Sequence, residues 1–191
     1  MSLNKDSSDK IDAIRQQWRE ECPSLDADPV LVLGRVYRIA HLASRPIEAV
    51  FRSHGLDRGE FDVLATLKRT GQPYELTPSA ICEHLLVSSG GLTDRLIRLE
   101  KARLVTRTRS LGDGRSSVVK LTALGEKRVV AAYQDDMKLE RQLMRAMSKR
   151  EAKILGGLLR KLHISIECQT DASNGVAGNA DRRCGSLRYP R

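Results

Sequence analysis

Residues 76–121 carry the pattern that most limits how this chain can fold. A helix is predicted over residues 76–86 with Thr77 as its N-cap, and a second helix follows a short connection and runs to about Ala102. The spacing then changes to two β-prone runs, L-V-T-R-T-R-S and S-S-V-V-K-L, which flank the turn sequence L-G-D-G-R. These runs indicate a β-hairpin. Helix, short turn, helix and hairpin in this order predict a winged helix-turn-helix.

Helices with apolar stripes are predicted before and after this segment. Aromatic residues make up only 4% of the chain, which favours a mainly α-helical fold with a small β-hairpin wing. Because long terminal helices often need a second subunit to cover their stripes, we expect a homodimer. The predicted organisation is an N-terminal extension with a short helix (1–28), dimerisation helices (29–55 and 122–168), a winged helix-turn-helix domain (56–121) and a disordered tail (169–191).

Basic charge is concentrated in the same segment. The chain has a net charge of +9, and residues 88–120 contain eight Lys or Arg against three Asp or Glu. Residues 1–28, in contrast, contain four Lys or Arg against seven Asp or Glu. A cationic surface gains free energy by displacing counterions from a polyanion, so the pattern indicates a nucleic-acid partner. An ordinary solvated surface is the alternative interpretation.

The second helix of the motif is expected to bind the major groove of DNA. Leu92, Leu96 and Leu99 share one face and are predicted to lie in the core, which leaves Asp94 and Arg98 on the opposite face. Small residues at the helix start allow close approach to the backbone and bases, and arginines on a thin hairpin suit phosphates and the minor groove. The predicted DNA-binding residues are Ser89, Gly90, Thr93, Asp94, Arg98, Arg109 and Arg115. An ion pair between Asp113 and Arg115 that shapes the turn is an alternative role for that arginine.

The run L-T-P-S-A-I-C-E-H-L-L-V-S-S-G-G-L-T-D-R-L-I-R-L-E-K-A-R-L-V, followed by D-G-R and L-T-A-L-G, resembles the MarR family of transcriptional regulators. The resemblance spans residues 29–166 and departs from the family at Gly114, where the usual wing has an arginine. It implies a homodimer that binds a pseudo-palindromic double-stranded DNA operator, usually as a repressor, and that a small anionic aromatic ligand releases. It also implies a cytoplasmic, nucleoid-associated protein.

A narrower resemblance is to the urate-responsive subgroup of that family. The N-terminal helix with Trp18, the run G-E-F-D-V-L-A-T-L containing Asp62, and the positions of Arg95 and Arg107 are similar to those of the subgroup. The resemblance implies that these four residues bind the ligand. Independently, Arg95 falls about 60° from the apolar centre of its helix, where it could face a crevice. Two alternatives remain open: Trp18 completes an apolar stripe, and Asp62 forms a structural ion pair with Arg95.

Other functions have weaker support. No G-x-S-x-G, P-loop, H-E-x-x-H or Gly-rich dinucleotide motif occurs, so we do not expect an enzyme, and no cofactor or metal site is predicted. The four cysteines form no C-x-x-C pair. A redox-sensing regulator that uses Cys22 and a winged-helix module that binds protein or RNA are the alternative functions. No apolar run is long enough to span a bilayer, so no membrane partner is expected.

Overall fold

The computed structural model describes residues 8–85, 91–109 and 117–175 of the chain. Within those ranges the elements in chain order are α1 (Lys10–Glu21), α2 (Val30–Ser53), α3 (Arg58–Arg69), β1 (Glu75–Leu76), α4 (Pro78–His84), α5 (Leu92–Lys101), β2 (Val105–Arg109), β3 (Ser117–Leu121), α6 (Ala123–Leu143) and α7 (Lys149–Gly175). The mainly helical architecture with a small sheet is the one that the sequence predicts.

The sheet has three strands instead of the two that the hairpin pattern predicts. Its order is β1-β3-β2, and both pairings are antiparallel. The two predicted hairpin strands are confirmed, with Val105 opposite Leu121 and Arg109 opposite Ser117. Leu76, which we expected in a helix, instead pairs with Val119 as part of β1. A strand of two residues is too short to show alternation in the sequence.

α4 begins immediately after that strand. The Thr77 hydroxyl oxygen accepts a hydrogen bond from the backbone N–H of Ala80 at 3.2 Å, which confirms the predicted N-cap. The segment between α4 and α5 (86–90) and the turn between β2 and β3 (110–116) lie outside the described residues.

α3 lies at the centre of the buried core. The ring of Phe61 stacks on that of Phe51 from the end of α2, with ring centroids 4.0 Å apart. Leu64 and Leu67 of α3 are fully buried in a cluster that also contains leucines of α5 and valines of the sheet. Each such side chain stabilises the fold by roughly 1.5–3 kcal/mol through burial, so α3 fixes the helix α5 and the sheet relative to each other.

The start of α6 is fastened to the loop before β2. The Thr122 hydroxyl donates to the carbonyl oxygen of Leu104 at 3.1 Å and accepts from the backbone N–H of Gly125 at 3.0 Å. A Cβ atom at Gly125 would collide with the Leu104 carbonyl oxygen. The run L-T-A-L-G therefore requires glycine because backbone passes directly over it.

The first two helices pack against each other near the N-terminus. Asp9 caps α1, and the guanidinium of Arg35 on α2 binds the carboxylates of Asp9 at 2.9 Å and Asp12 at 2.7 Å. α2 includes Pro46 and ends at Ser53. The extra N-terminal helix predicted from the sequence is thus an ordered part of the structure.

The chain divides into two units, residues 1–143 and residues 144–191. In its described part the second unit consists mainly of α7, which runs to Gly175 and so includes residues 169–175, where we expected no regular structure. Most of these residues are polar, and they show no apolar periodicity in the sequence. Residues 176–191 of the predicted tail lie outside the described part. Among the described helices, none combines the length and apolar character that crossing a membrane requires.

Candidate nucleic-acid interface

α5 presents one face to the core and the other to solvent. Leu92, Leu96 and Leu99 are buried, which confirms the predicted inward face. Gly91 precedes the helix with a φ of +75°, a left-handed conformation that glycine adopts at little cost. Exposed residues of the opposite face are Thr93, Asp94, Ile97, Arg98 and Lys101. This exposed face is the surface available to a DNA major groove.

Some of the predicted DNA-binding residues lie within the described part of the chain and others do not. Thr93 and Asp94 are exposed in the first turn of α5, where a major-groove helix makes its contacts. Ser89, Gly90 and Arg115 lie outside the described residues. They stay predictions, as do Thr93 and Asp94.

The wing strand β2 carries two of the predicted arginines. Arg107 pairs with Val119 and Arg109 with Ser117, so both lie on the same side of the strand by alternation. The side chain of Arg107 is half-buried, and for Arg109 the structure describes the backbone. The strand therefore places the backbone of both residues along one side of the wing.

Arg98 does not extend freely into solvent. Its Nε donates to Glu60 Oε1 at 2.7 Å, and its Nη2 donates to Asp57 Oδ2 at 2.8 Å. Both carboxylates belong to the N-terminal turn of α3. The helical periodicity that predicted Arg98 as a DNA contact contains no information about this neighbour.

A cavity of about 480 Å³ lies between the end of α2, the start of α3 and α5. It is lined by four arginines, three carboxylates and two glycines: Arg52, Arg58, Arg95, Arg98, Glu48, Asp57, Asp94, Gly59 and Gly91. Three of these arginines form ion pairs with carboxylates, namely Arg52 with Glu48, Arg58 with Asp62 and Arg98 with Asp57 and Glu60. In the described part of the chain Arg95 is the lining arginine for which no ion pair is observed.

Arg95 is held in an unusual position. Its side chain passes over Gly59, and its Cζ atom lies 2.6 Å from the point where a Cβ atom of residue 59 would stand. The Nη1 atom is buried and has no hydrogen-bond partner among the described residues. A buried guanidinium nitrogen without an acceptor carries a desolvation cost, which an anionic oxygen in the cavity would relieve.

Asp62 pairs with Arg58 instead of forming the ion pair with Arg95 that we considered. The Arg58 Nε is 3.3 Å from Asp62 Oδ1. Burial raises the pKa of Asp62, while the charges of Arg58 and, more weakly, Arg95 lower it. Arg95 therefore interacts electrostatically with Asp62 without a direct ion pair.

Two further carboxylates lie behind Asp62 on α6. Burial raises the pKa of Asp136 and of Glu140, Arg58 opposes both shifts, and Asp136 also raises the pKa of Glu140. Asp136 is only 5% exposed, and its Oδ1 has no hydrogen-bond partner in the described structure. Sequence analysis missed this group because its members are far apart in the chain.

Of the four described residues assigned to the ligand, only Arg95 lines the cavity. Trp18 on α1 is 50% exposed, and neither it nor Arg107 lines the cavity in this chain. The structure thus brings together Arg95 and, through Arg58, Asp62. Sequence analysis also missed Gly59 and the second role of Asp57 and Glu60, which form the capping box of α3.

The remaining candidates supply little chemistry. Cys22 is half-buried and forms no disulfide with another described cysteine. Among the described residues no group of three His, Cys, Asp or Glu side chains is arranged to hold a metal ion.

Comparison with known proteins identifies the family. The model of the MarR family matches residues 54–116. The HTH-type transcriptional regulator PecS of Dickeya dadantii is 37% identical over 153 residues, which cover 80% of this chain and 92% of PecS.

Solved structures agree with the fold. The organohalide-sensing regulator RdhR, bound to 2,4-dichlorophenol, superimposes with a TM-score of 0.65 at 18% identity and covers 86% of this chain and 89% of its own. A mutant of MarR from E. coli in complex with operator DNA has a TM-score of 0.59 at 24% identity and covers 76% of this chain and 96% of its own. The identity to PecS across most of both chains, on a winged-helix fold with an outward-facing α5, means that this chain belongs to the MarR family of transcriptional regulators.

Proposed function

We propose that this regulator binds a pseudo-palindromic operator as a homodimeric repressor and that a small anionic aromatic ligand releases it. The observation that carries the ligand proposal is the buried Nη1 of Arg95, which lies beside the cavity and has no hydrogen-bond partner in the part of the chain that the structure describes. Because Arg95 belongs to the helix that faces DNA, a ligand that binds its guanidinium acts directly on the DNA-binding surface.

The chemistry of the cavity favours an anion. Arg95 is the lining arginine that no carboxylate neutralises in the described structure, and its planar guanidinium suits a carboxylate, phenolate or the edge of a fused ring. The volume of about 480 Å³ lies within the range of small-molecule sites. Asp62 opposes an anion when it is ionised, and its raised pKa means that its protonation would reduce this repulsion.

Trp18, Asp62, Arg95 and Arg107 remain our proposed ligand-binding set. The exposed indole of Trp18 offers a stacking surface for an aromatic ring. Trp18 does not line the cavity in this chain, so its role needs a test of its own.

The proposal of a homodimer has support in the surface of α2. The exposed large apolar side chains of its first half are Val32, Leu33, Val36, Ile39 and Leu42. A contiguous apolar surface of this kind on a monomer is unusual, and a second copy would remove it from water.

The first test uses DNA and ligand together. A duplex that the protein enriches from a random pool, and the DNA upstream of its own gene, are titrated with protein by gel shift at several salt concentrations. Urate, salicylate and 2,4-dichlorophenol are then added to the complex at a mildly alkaline pH at which all three are ionised, with uncharged benzyl alcohol as the control. We expect the anionic compounds to dissociate the complex and Arg95→Gln to require at least about tenfold more ligand.

Each part of the proposal can fail separately. Indifference to all three anions would remove the ligand and leave the DNA-binding regulator. Equal affinity for the enriched duplex and its scrambled sequence would contradict specific regulation and favour a protein-interaction module. A monomeric mass in solution would contradict the dimer.

A further inference from the structure

The capping box at the start of α3 uses its two carboxylates twice. Asp57 Oδ1 accepts from the backbone N–H of Glu60 at 2.7 Å, and Glu60 Oε2 accepts from the backbone N–H of Asp57 at 2.9 Å. The second oxygen of each carboxylate accepts from Arg98 of α5. All four oxygens are thus engaged, two in starting α3 and two in holding α5.

We propose that Arg98 is a positioning residue, which fixes the DNA-facing helix α5 on the first turn of α3, and that it does not read bases. The proposal rests on the DNA-binding function of the family and is independent of any ligand. It replaces the role that the helical pattern suggested for Arg98.

The packing of α5 explains why such an attachment is needed. α5 is a helix of 10 residues whose leucines contact the core along one stripe. Burial of an apolar stripe holds the helix against the core. It resists a small rotation of the helix about its axis less strongly, because hydrophobic contacts are not directional. The two charge-assisted hydrogen bonds of Arg98 to oxygens of α3 are directional, so they resist this rotation.

Energetic considerations also oppose release of Arg98 to DNA. The Glu60 side chain is 12% exposed and the hydrogen bond to it raises the pKa of Arg98. If Arg98 left to contact a base, the carboxylate of Glu60 would remain largely buried beside a polyanion without a cation. Removing one partner of such a pair costs more than the pair itself contributes.

Removing the two carboxylates changes DNA affinity in opposite directions under two explanations, one based on charge alone and one based on positioning of α5. Asn at an N-cap and Gln at the third helical position can still cap a helix, so Asp57→Asn with Glu60→Gln keeps α3 and loses two negative charges. If charge alone mattered, the double variant would bind DNA more tightly. If Arg98 positions α5, the double variant binds its operator more weakly.

The experiment measures the affinity of the parent and variants for the duplex that the parent enriches from a random pool, and for a scrambled duplex, over a range of salt. The variants are Asp57→Asn/Glu60→Gln and Arg98→Gln. Glu100→Gln and Lys101→Gln on the same helix are the matched controls, since these exposed residues form no ion pair in the described structure. We expect both test variants to lose about tenfold in operator affinity at every salt concentration, with little change on the scrambled duplex.

Lys101→Gln gives the effect of losing one positive charge from the exposed face of α5, and Arg160→Gln on α7 gives the baseline for losing one positive charge elsewhere. A phosphate contact by Arg98 would lower the salt slope by about one unit relative to Arg160→Gln, and a base contact would relax the preference at one base pair only. Either of these results, or unchanged or tighter operator binding by the double carboxylate variant, overturns the proposal.

A second measurement needs no DNA. Hydrogen exchange of the α5 backbone amides should be faster in both test variants than in the parent and unchanged in Lys101→Gln, with thermal unfolding used to verify that each variant folds. Identical α5 exchange in all proteins would overturn the positioning role even if DNA affinity changed.

Discussion

Arg95 lies directly over Gly59, with the guanidinium carbon 2.6 Å from the position of a Cβ atom at residue 59. Any side chain on residue 59 would therefore force Arg95 to move. The glycine occupies the second position of α3, where alanine would otherwise be preferred for helix formation. This contact connects α3 to the DNA-facing helix at the edge of the cavity.

The effect of Gly59→Ala on the free energy of unfolding should depend on whether residue 95 carries its arginine side chain. In the parent it should lower the free energy of unfolding by about 1–2 kcal/mol, because the added methyl group displaces Arg95. In an Arg95→Ala background it should leave that free energy unchanged or raise it by up to about 1 kcal/mol, since alanine is then simply the better helix former. Urea denaturation of the four proteins of this double-mutant cycle measures the coupling.

The cycle also has a clear negative result. If Gly59→Ala costs the same with and without the arginine side chain, the two residues are not coupled and the glycine is needed for another reason.

Asp136→Asn should stabilise the protein at neutral pH by about 1 kcal/mol, because it removes a buried charge whose Oδ1 has no hydrogen-bond partner within the described ranges. The neighbouring Asp135 is the control. Hydrogen bonds from Lys138 and His54 lower the pKa of Asp135, so Asp135→Asn should destabilise the protein at neutral pH. Urea denaturation at neutral and acidic pH compares the two variants.

The two aspartates also differ in the sign of their pH dependence. Burial raises the pKa of Asp136, so the folded state binds its proton more tightly than the unfolded state does. The stability that this proton contributes is present below the ordinary pKa of 3.8 and is lost as the pH rises through the pKa of the folded state. For Asp135 the lowered pKa contributes stability above 3.8 that is lost as the pH falls through its folded value. Parallel pH profiles for the two variants would contradict this assignment.

Arg115→Ala should weaken DNA binding and lower the dependence of the association constant on salt, since the wing arginine is expected to contact the DNA backbone or minor groove. Gel shifts at several salt concentrations measure both effects. Arg160→Ala, at an exposed arginine of α7, is the control for a loss of positive charge elsewhere. An effect of equal size in both variants would mean that only the net charge matters.

Local sequence patterns were sufficient wherever the structure depends on neighbours in the chain. The spacing of Leu92, Leu96 and Leu99 gave the buried face of α5, and Thr77 gave the start of α4. They failed for Leu76, because a two-residue strand is defined by its partner on β3 and has no periodicity of its own. Residues 169–175 were not predicted as helix for a different reason, because they show no apolar periodicity, although α7 includes them.

By itself, the sequence determined the order of helices and strands, the face of α5 that is buried, and the concentration of arginines around it, because helical and strand periodicity are properties of residues close together in the chain. Tertiary structure alone decided what those arginines do. It placed Arg98 on the capping box of α3 and Arg95 over Gly59. A charged side chain takes the partner that packing brings within reach, and residues 57–60 and 95–98 meet only when α3 and α5 bury their apolar faces in the same core.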